Sequence, residues 1–130
     1  MIGLDTTAII DLFKGDEGIK KFLEKNKDPL ASTMFNYLEL QFGLDHENKK
    51  HIEESKYYEE LFESIYNINL TKEACKRASQ INWKLKKSGK EIEQFDCIIA
   101  ALFLERGIKK IVTRNKDHFN RIEDIEVMSY

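Results

Sequence analysis

Hydrophobic positions along the chain fall into short apolar runs separated by longer segments in which they recur every three or four residues. Short apolar runs bounded by turn residues predict buried strands, whereas the longer period predicts amphipathic helices. The predicted strands are residues 1–4, 30–32, 65–70, 109–113 and 126–128. The predicted helices are residues 7–14, 17–25, 33–46, 49–64, 72–88 and 94–106.

The order of these elements predicts the fold class. Helices separate most of the strands, and no tight hairpin signal joins any two of them, which favours a parallel sheet covered on both sides. We therefore predict an α/β protein in which residues 1–130 form a single domain, with a central parallel sheet of four to five short strands flanked by helices on both sides. In such sheets, ligands bind outside the carboxyl ends of the strands.

Three carboxylates lie beside apolar segments that are far apart in the sequence. Asp5 follows the first predicted strand, Glu39 lies on the apolar face of the third predicted helix, and Asp96 opens the most apolar helix. A charge beside apolar surface is costly unless it is paired, so the three acids suggest one shared cation. The neighbours that place Glu39 on a buried face are Phe35, Leu38 and Phe42.

Each acid also has a simpler explanation. Asp5 and Asp96 are both near helix starts, where aspartate caps the helix and interacts favourably with its dipole. Glu39 could pair with a lysine or reach solvent at the helix edge. The residues alone leave the shared cation and the three separate roles both open.

Composition narrows the class of protein. With 130 residues, 42% hydrophobic and 34% charged, the chain is long enough for one buried core and is expected to fold. A net charge of -2 argues against non-specific coating of nucleic acid. The apolar run at residues 97–104 is too short to span a membrane, so we expect a cytoplasmic protein. Its two cysteines, Cys75 and Cys97, form no metal-binding or paired motif, and we expect both to be reduced and buried.

Four segments resemble the motifs of PIN-domain proteins in the order and spacing of that family. They are MIGLDTTAII at residues 1–10, NYLEL at 36–40, FDCIIAA at 95–101 and IVTRNKDHF at 111–119. The resemblance spans nearly the whole chain, and the short length is similar to that of VapC-type toxins from prokaryotic toxin–antitoxin pairs.

The resemblance implies an endoribonuclease that uses Mg²⁺ or Mn²⁺ to cleave RNA. In this family the acids matching Asp5, Glu39 and Asp96 are metal ligands and catalytic residues, and the fourth catalytic position is Asn115. An amide there adds no negative charge, and Asp117 is an alternative for that position. The residues that match candidate substrate-binding positions are Thr6, Thr113 and Arg114.

The resemblance also implies partners. The family's antitoxins wrap the toxin and often place an arginine against the acids, so a cognate antitoxin is expected beside the RNA substrate. We also expect a homodimer, because the phenylalanines of the first half exceed the needs of one small core. The lysines at residues 84–90 are candidates for RNA binding but more simply form a solvated helix face, and His118 is expected at the surface.

Two other functions remain open at this stage. One is a PIN-like module that binds RNA or protein without cleaving it. The other is a phospho-receiver domain, which needs an acidic pair after the first strand; here Asp5 is followed by two threonines, which argues against that class.

Overall fold

A central sheet of five short parallel strands is surrounded by seven helices in the computed structural model, which describes residues 1–130. The strands are β1 (Ile2–Leu4), β2 (Leu30–Thr33), β3 (Tyr66–Ile68), β4 (Lys110–Val112) and β5 (Glu126–Met128). The helices are α1 (Thr6–Lys14), α2 (Glu17–Lys25), α3 (Met34–Phe42), α4 (Lys49–Ser64), α5 (Lys72–Lys87), α6 (Gln94–Glu105) and α7 (Lys116–Asn120). The predicted α/β architecture with a parallel sheet is confirmed.

The strand order β3-β2-β1-β4-β5 places β1 at the centre of the sheet. Gly3 of β1 pairs with Ala31 of β2 on one side and with Ile111 of β4 on the other. The chain builds outward from β1 to β3 and then returns to β4, so the order reverses between β1 and β4. Such a reversal opens a crevice at the carboxyl ends of the strands. Asp5 and Thr113 follow directly at this point.

Side chains alternate between the two faces of the sheet and form two separate apolar clusters. Ile2 and Leu4 pack with residues of α1, α2 and α4 on one face, and Ile111 packs with α6 on the other. Gly3 also faces α6, where a Cβ atom would lie 2.7 Å from Cε1 of Phe103. Glycine therefore allows the Phe103 ring, which is fully buried, to pack directly against the central strand.

Local signals explain most helix boundaries. Gly15 has a positive φ of 75° and ends α1, a conformation that glycine adopts without a Cβ penalty. Thr33 and Asn36 form a capping box at the start of α3, and the side chains of Asn48 and Thr71 cap α4 and α5. The predicted bounds of α2 and α4 are confirmed.

Helix α3 differs from the prediction in length and in its buried face. It ends at Phe42 rather than near residue 46, because Gly43 and Leu44 form turn hydrogen bonds to Leu40 and Gln41. The residues buried at its helical spacing are Asn36, Leu40 and Leu44. A shift of two positions rotates a helix face by about 200°. The opposite stripe is therefore exposed, and it consists of Met34, Leu38 and Phe42.

The prediction that Glu39 shares a buried face with Leu38 and Phe42 is thus wrong for both neighbours, which are 37% and 74% exposed. Phe35 does pack against the core beside α6.

Two smaller expectations also need correction. Cys97 is buried as predicted, but Cys75 is exposed on the outer face of α5. Trp83 of the same helix is 55% exposed. Helix α7 was not predicted, because its five residues give too little periodic pattern to recognise.

Among the helices, none has the combination of length and apolar character needed to cross a membrane.

Candidate functional site

Asp5 is a buried carboxylate at the carboxyl end of the central strand, where it is only 3% exposed. It occupies the N-cap position of α1, yet its side chain makes no capping hydrogen bond. Oδ1 instead accepts from Nδ2 of Asn36 at 3.0 Å, and Oδ2 accepts from Oγ1 of Thr113 at 2.7 Å. Capping therefore does not explain this residue.

Asp96 is the third residue of α6 and is 5% exposed. Its side chain makes no capping bond to the helix backbone, whose N-cap residue is Glu93. Oδ2 accepts from Nδ2 of Asn115 at 3.2 Å and lies 2.7 Å from Nδ1 of His118. Oδ1 accepts no hydrogen bond from the protein. The capping explanation fails here as well.

Glu39 is half-buried on α3 and reaches the same region from the other side. Oε1 accepts from the hydroxyl of Thr6 at 2.7 Å, and that hydroxyl in turn accepts from Nδ2 of Asn36 at 3.0 Å. Glu39 forms no ion pair with a lysine or arginine, and Oε2 accepts no hydrogen bond from the protein. Pairing with a lysine therefore does not explain Glu39.

One hydrogen-bonded network connects the three acids, and we call it the acidic cluster. The backbone N–H of Asn115 donates to Oγ1 of Thr113 at 2.9 Å, which links the Asp5 side of the network to the Asp96 side. The network draws on the segments after β1 and β4 and on the four helices α1, α3, α6 and α7. Its members are Asp5, Thr6, Asn36, Glu39, Asp96, Thr113, Asn115 and His118.

Burial raises the pKa of all three carboxyl groups. For Asp5 and Asp96 desolvation is the leading cause, and hydrogen bonds from Thr113 and His118, respectively, oppose it. For Glu39, desolvation raises the pKa first, the hydroxyl of Thr6 opposes it, and the charges of Asp5 and Asp96 raise it further. The three acids are therefore close enough to repel one another, and no lysine or arginine compensates them.

The donors of the acidic cluster suit a hard divalent cation. Carboxylate and amide oxygens are the ligands that Mg²⁺ and Mn²⁺ prefer. A cation would compensate the buried negative charge whose desolvation raises these pKa values. With the side chains hydrogen-bonded as they are, however, no three His, Cys, Asp or Glu residues surround a common metal position. One cation held by all three acids would therefore require at least some of these side chains to move.

Arg114 lies beside the acidic cluster, but its side chain turns away from it. Nε forms a 2.8 Å ion pair with Oδ2 of Asp11, which also accepts from the hydroxyl of Tyr130 at 2.5 Å. The backbone N–H of Arg114 donates to Thr7 Oγ1 at 2.9 Å. The guanidinium is about half exposed, so a substrate can reach it only at the edge of the site.

The lysines of α5 lie elsewhere. Lys84 pairs with Glu123, and Lys86 lies 3.7 Å from Glu91. A cavity of about 510 Å³ runs along this face of α5, with Lys84 and Lys90 on its rim, and it contains no member of the acidic cluster. This arrangement matches the simpler interpretation of a solvated helix face.

Two members of the acidic cluster are not predicted from the sequence. Asn36 lies within a PIN-like segment, and its capping-box spacing from Thr33 is the local signal that marks it. His118 was placed at the surface, whereas it contacts Asp96; its position one helical turn after Asn115 was the available signal. Asp117, the alternative to Asn115, is exposed and makes no hydrogen bond to the cluster.

Comparison with known protein families gives one match. A sequence model of the PIN domain matches residues 2–125. A comparison with curated proteins gives no match.

Solved structures similar to this chain include members of three VapBC systems. The complex VapBC-1 of nontypeable Haemophilus influenzae matches at 28% identity and a TM-score of 0.78, over 99% of this chain and 98% of the other. VapBC2 of Rickettsia felis, bound to promoter DNA, matches at 21% identity and a TM-score of 0.83, over 100% of this chain and 99% of the other. Mycobacterium tuberculosis VapC20, described as a sarcin-ricin loop cleaving toxin, matches at 14% identity and a TM-score of 0.69, over 91% of this chain and 92% of the other. With its sequence matched over residues 2–125, the chain belongs to the PIN domain family.

Proposed function

We propose that this protein is an endoribonuclease dependent on Mg²⁺ or Mn²⁺ and that it is the VapC-type toxin of a toxin–antitoxin pair. One observation carries the proposal: two buried acids and one half-buried acid from distant segments meet in one network in which every hydrogen-bond donor is a hydroxyl, amide or imidazole. The similarity to the Haemophilus influenzae VapBC-1 complex and to the RNA-cleaving VapC20 supports the choice of substrate and partner.

In this proposal Asp5, Glu39 and Asp96 hold the cation. When bound, the ion supplies a water of lowered pKa and neutralises charge on the scissile phosphate. The remaining members of the cluster orient these ligands: Asn36 and Thr113 fix Asp5, and Thr6 fixes Glu39.

Asn115 completes the catalytic set at the edge of the cluster. Its Nδ2 donates to Asp96, whereas its Oδ1 accepts no hydrogen bond from the protein and is available to water or substrate. The candidates for RNA contact are the hydroxyls of Thr6 and Thr113 and the guanidinium of Arg114, which must leave Asp11 to reach a phosphate. Single-stranded RNA suits such a site because its backbone bends more easily than a duplex.

An antitoxin provides a second way to compensate the acids. A positive side chain from the partner, such as arginine, placed against Asp5 and Asp96 would pair with their charge and exclude both the cation and RNA. The VapBC structures that share this fold support the proposal of an antitoxin partner.

A cleavage assay tests the proposed function. The purified chain is incubated with structured RNAs and Mg²⁺ or Mn²⁺, in parallel with Asp5→Asn and Asp96→Asn. We expect cleavage that EDTA abolishes and that either substitution reduces by at least about 100-fold, since a metal contributes several kcal/mol to such chemistry. Cleavage of equal rate by all three proteins would contradict the proposal and identify a contaminating nuclease.

The second candidate is a PIN domain that binds RNA or protein without cleaving it. Asn115 favours this alternative, because an amide at the fourth position contributes no charge to hold a second ion. Binding of Mn²⁺ and of RNA in separate titrations, with no cleavage in the assay above, would favour it.

A further inference from the structure

His118 contributes a specific contact to the acidic cluster that none of the predicted roles uses. Its Nδ1 lies 2.7 Å from Oδ2 of Asp96, while its Nε2 has no hydrogen-bond partner in the protein. An ionised carboxylate only accepts hydrogen bonds, so the hydrogen between these atoms belongs to Nδ1. His118 is therefore a donor to Asp96.

The two oxygens of Asp96 have different surroundings. Oδ2 receives two donors, Nδ1 of His118 and Nδ2 of Asn115, the latter at 3.2 Å. Oδ1 receives none. Two donors on one oxygen fix the rotation of a carboxylate, and they leave the other oxygen available to an outside ligand.

The backbone explains why both donors reach the same atom. Asn115 is the N-cap of α7 and His118 is its third residue, so the two side chains lie one helical turn apart on one side of the helix. Phe119, the next residue, is fully buried and anchors α7 against the core. The position of the imidazole is therefore fixed by the fold rather than by the hydrogen bond alone.

We propose that His118 is a positioning residue that, together with Asn115, holds Asp96 in the orientation in which it binds the divalent cation. The inference rests on the proposed function. It gives residues 111–119, the last of the four PIN-like segments, a task that requires no additional charge. The amide of Asn115 and the imidazole of His118 orient Asp96, which α6 supplies. It also explains why Asn115 serves at a position where related proteins can carry an acid.

Calorimetric titration of the metal-free protein with Mn²⁺ tests this role without relying on activity. Loss of an outer-shell partner typically weakens metal binding by about 10- to 100-fold, so we expect His118→Ala to bind at least about 10-fold more weakly than wild type. In His118→Asn, the amide nitrogen occupies the place of Nδ1 and donates to Asp96, so we expect affinity within about threefold of wild type. Asp117→Asn, an exposed acid on the same short helix, is the matched control and should change affinity by less than about twofold.

A further pair of variants covers the case in which His118→Ala does not fold. His118→Gln carries its donor farther out, at the position of Nε2, and should bind as weakly as His118→Ala; equal affinity of His118→Gln and His118→Asn would overturn the inference. Unchanged or tighter binding by a folded His118→Ala would overturn it too. In both cases the proposed function stands if wild type binds Mn²⁺ and Asp96→Asn does not. If wild type fails to bind Mn²⁺, the proposed function and the inference both fail.

Discussion

At the scale of single residues, the site consists of acids that are held in place without being neutralised. Asp5 receives one hydrogen bond on each oxygen, from Asn36 and Thr113, and both donors are neutral. Neutral donors orient a carboxylate but compensate its burial only in part, and the pKa of Asp5 accordingly stays raised. The metal-free protein therefore stores an unfavourable charge that a cation can relieve.

This stored charge gives a pH dependence with a definite sign. Because the pKa of Asp5 is higher in the folded than in the unfolded chain, its contribution to stability is present below the unfolded pKa and is lost as pH rises through the folded pKa. In EDTA, Asp5→Asn should therefore be more stable than wild type at pH 7, and this difference should shrink as pH falls towards about 4, near the unfolded pKa of aspartate. Denaturant unfolding at the two pH values measures it.

The comparison between variants isolates Asp5 from the other acids of the chain. A variant that is less stable than wild type at neutral pH would mean that the hydrogen bonds of Asp5 outweigh its desolvation, which would contradict the account of an uncompensated acid.

The sequence indicated where Asp5 and Asp96 lie relative to strand and helix ends but not which side chains contact them. Asp5 and Asp96 follow from strand and helix ends, which periodicity and capping signals mark. The bonds of Asn36 and His118 join residues 31 and 22 positions apart in the chain, respectively. Such contacts depend on how each helix is rotated against the sheet, which local pattern does not specify.

At the scale of elements, the central strand depends on the missing side chain of Gly3. A Cβ there would lie 2.7 Å from Phe103, so Gly3→Ala should destabilise the protein by about 1–3 kcal/mol through overpacking. Gly43→Ala is the matched control, since its φ is -83° and the nearest atom to its Cβ is 3.5 Å away. Thermal unfolding of both variants distinguishes them, and equal stability of the two would contradict the close packing of Phe103 on β1.

The cap of α5 gives a second prediction for an element. The hydroxyl of Thr71 accepts from the backbone N–H of Ala74 at 3.1 Å, away from the acidic cluster. Thr71→Ala should lower the free energy of unfolding by about 1 kcal/mol, whereas Thr71→Ser, which keeps the hydroxyl, should cost less. Urea unfolding measures both, and the account is wrong about this cap if the two substitutions have the same effect.

Helix ends with strong capping or turn signals were predictable, whereas the buried face of a helix was not always so. Helix α4, bounded by Asn48 and the following strand, matches its predicted range, whereas α3 carries phenylalanines on both sides and was assigned the wrong buried face. Phe42 illustrates the cause: an apolar residue at helical spacing indicates a face, but it does not state whether the core of the same chain covers it.

At the scale of the whole molecule, the stripe of Met34, Leu38 and Phe42 suggests how copies of the chain associate. These residues lie at successive turns of α3 and are 39%, 37% and 74% exposed. Exposed apolar surface in a continuous stripe is typical of an interface, and we propose that the homodimer expected from the sequence forms through it.

Sedimentation velocity tests the dimer. We expect wild type to sediment as a dimer at micromolar concentration and Phe42→Ser to shift toward monomer, because the most exposed residue of the stripe loses its apolar contact. Trp83→Ser, which changes an exposed aromatic residue on α5, is the control and should leave the dimer intact. A monomeric wild type would contradict the proposal.

The architecture as a whole followed from the order of strands and helices, since parallel strands joined by helices have few possible arrangements. The reversal between β1 and β4 then determines where the carboxyl ends meet, and this explains why residues from both ends of the chain share one site.

The most direct test of the central claim is whether the three acids share one divalent cation. Mn²⁺ binding to the metal-free protein, measured by electron paramagnetic resonance of the free ion, should show binding by wild type that Asp5→Asn, Asp96→Asn and Glu39→Gln each weaken by at least about 10-fold. Because ligands of one ion act together, combining two substitutions should add little further loss. Wild-type affinity in all three single variants would contradict a shared cation and end the case for a metal-dependent site at the carboxyl ends of β1 and β4.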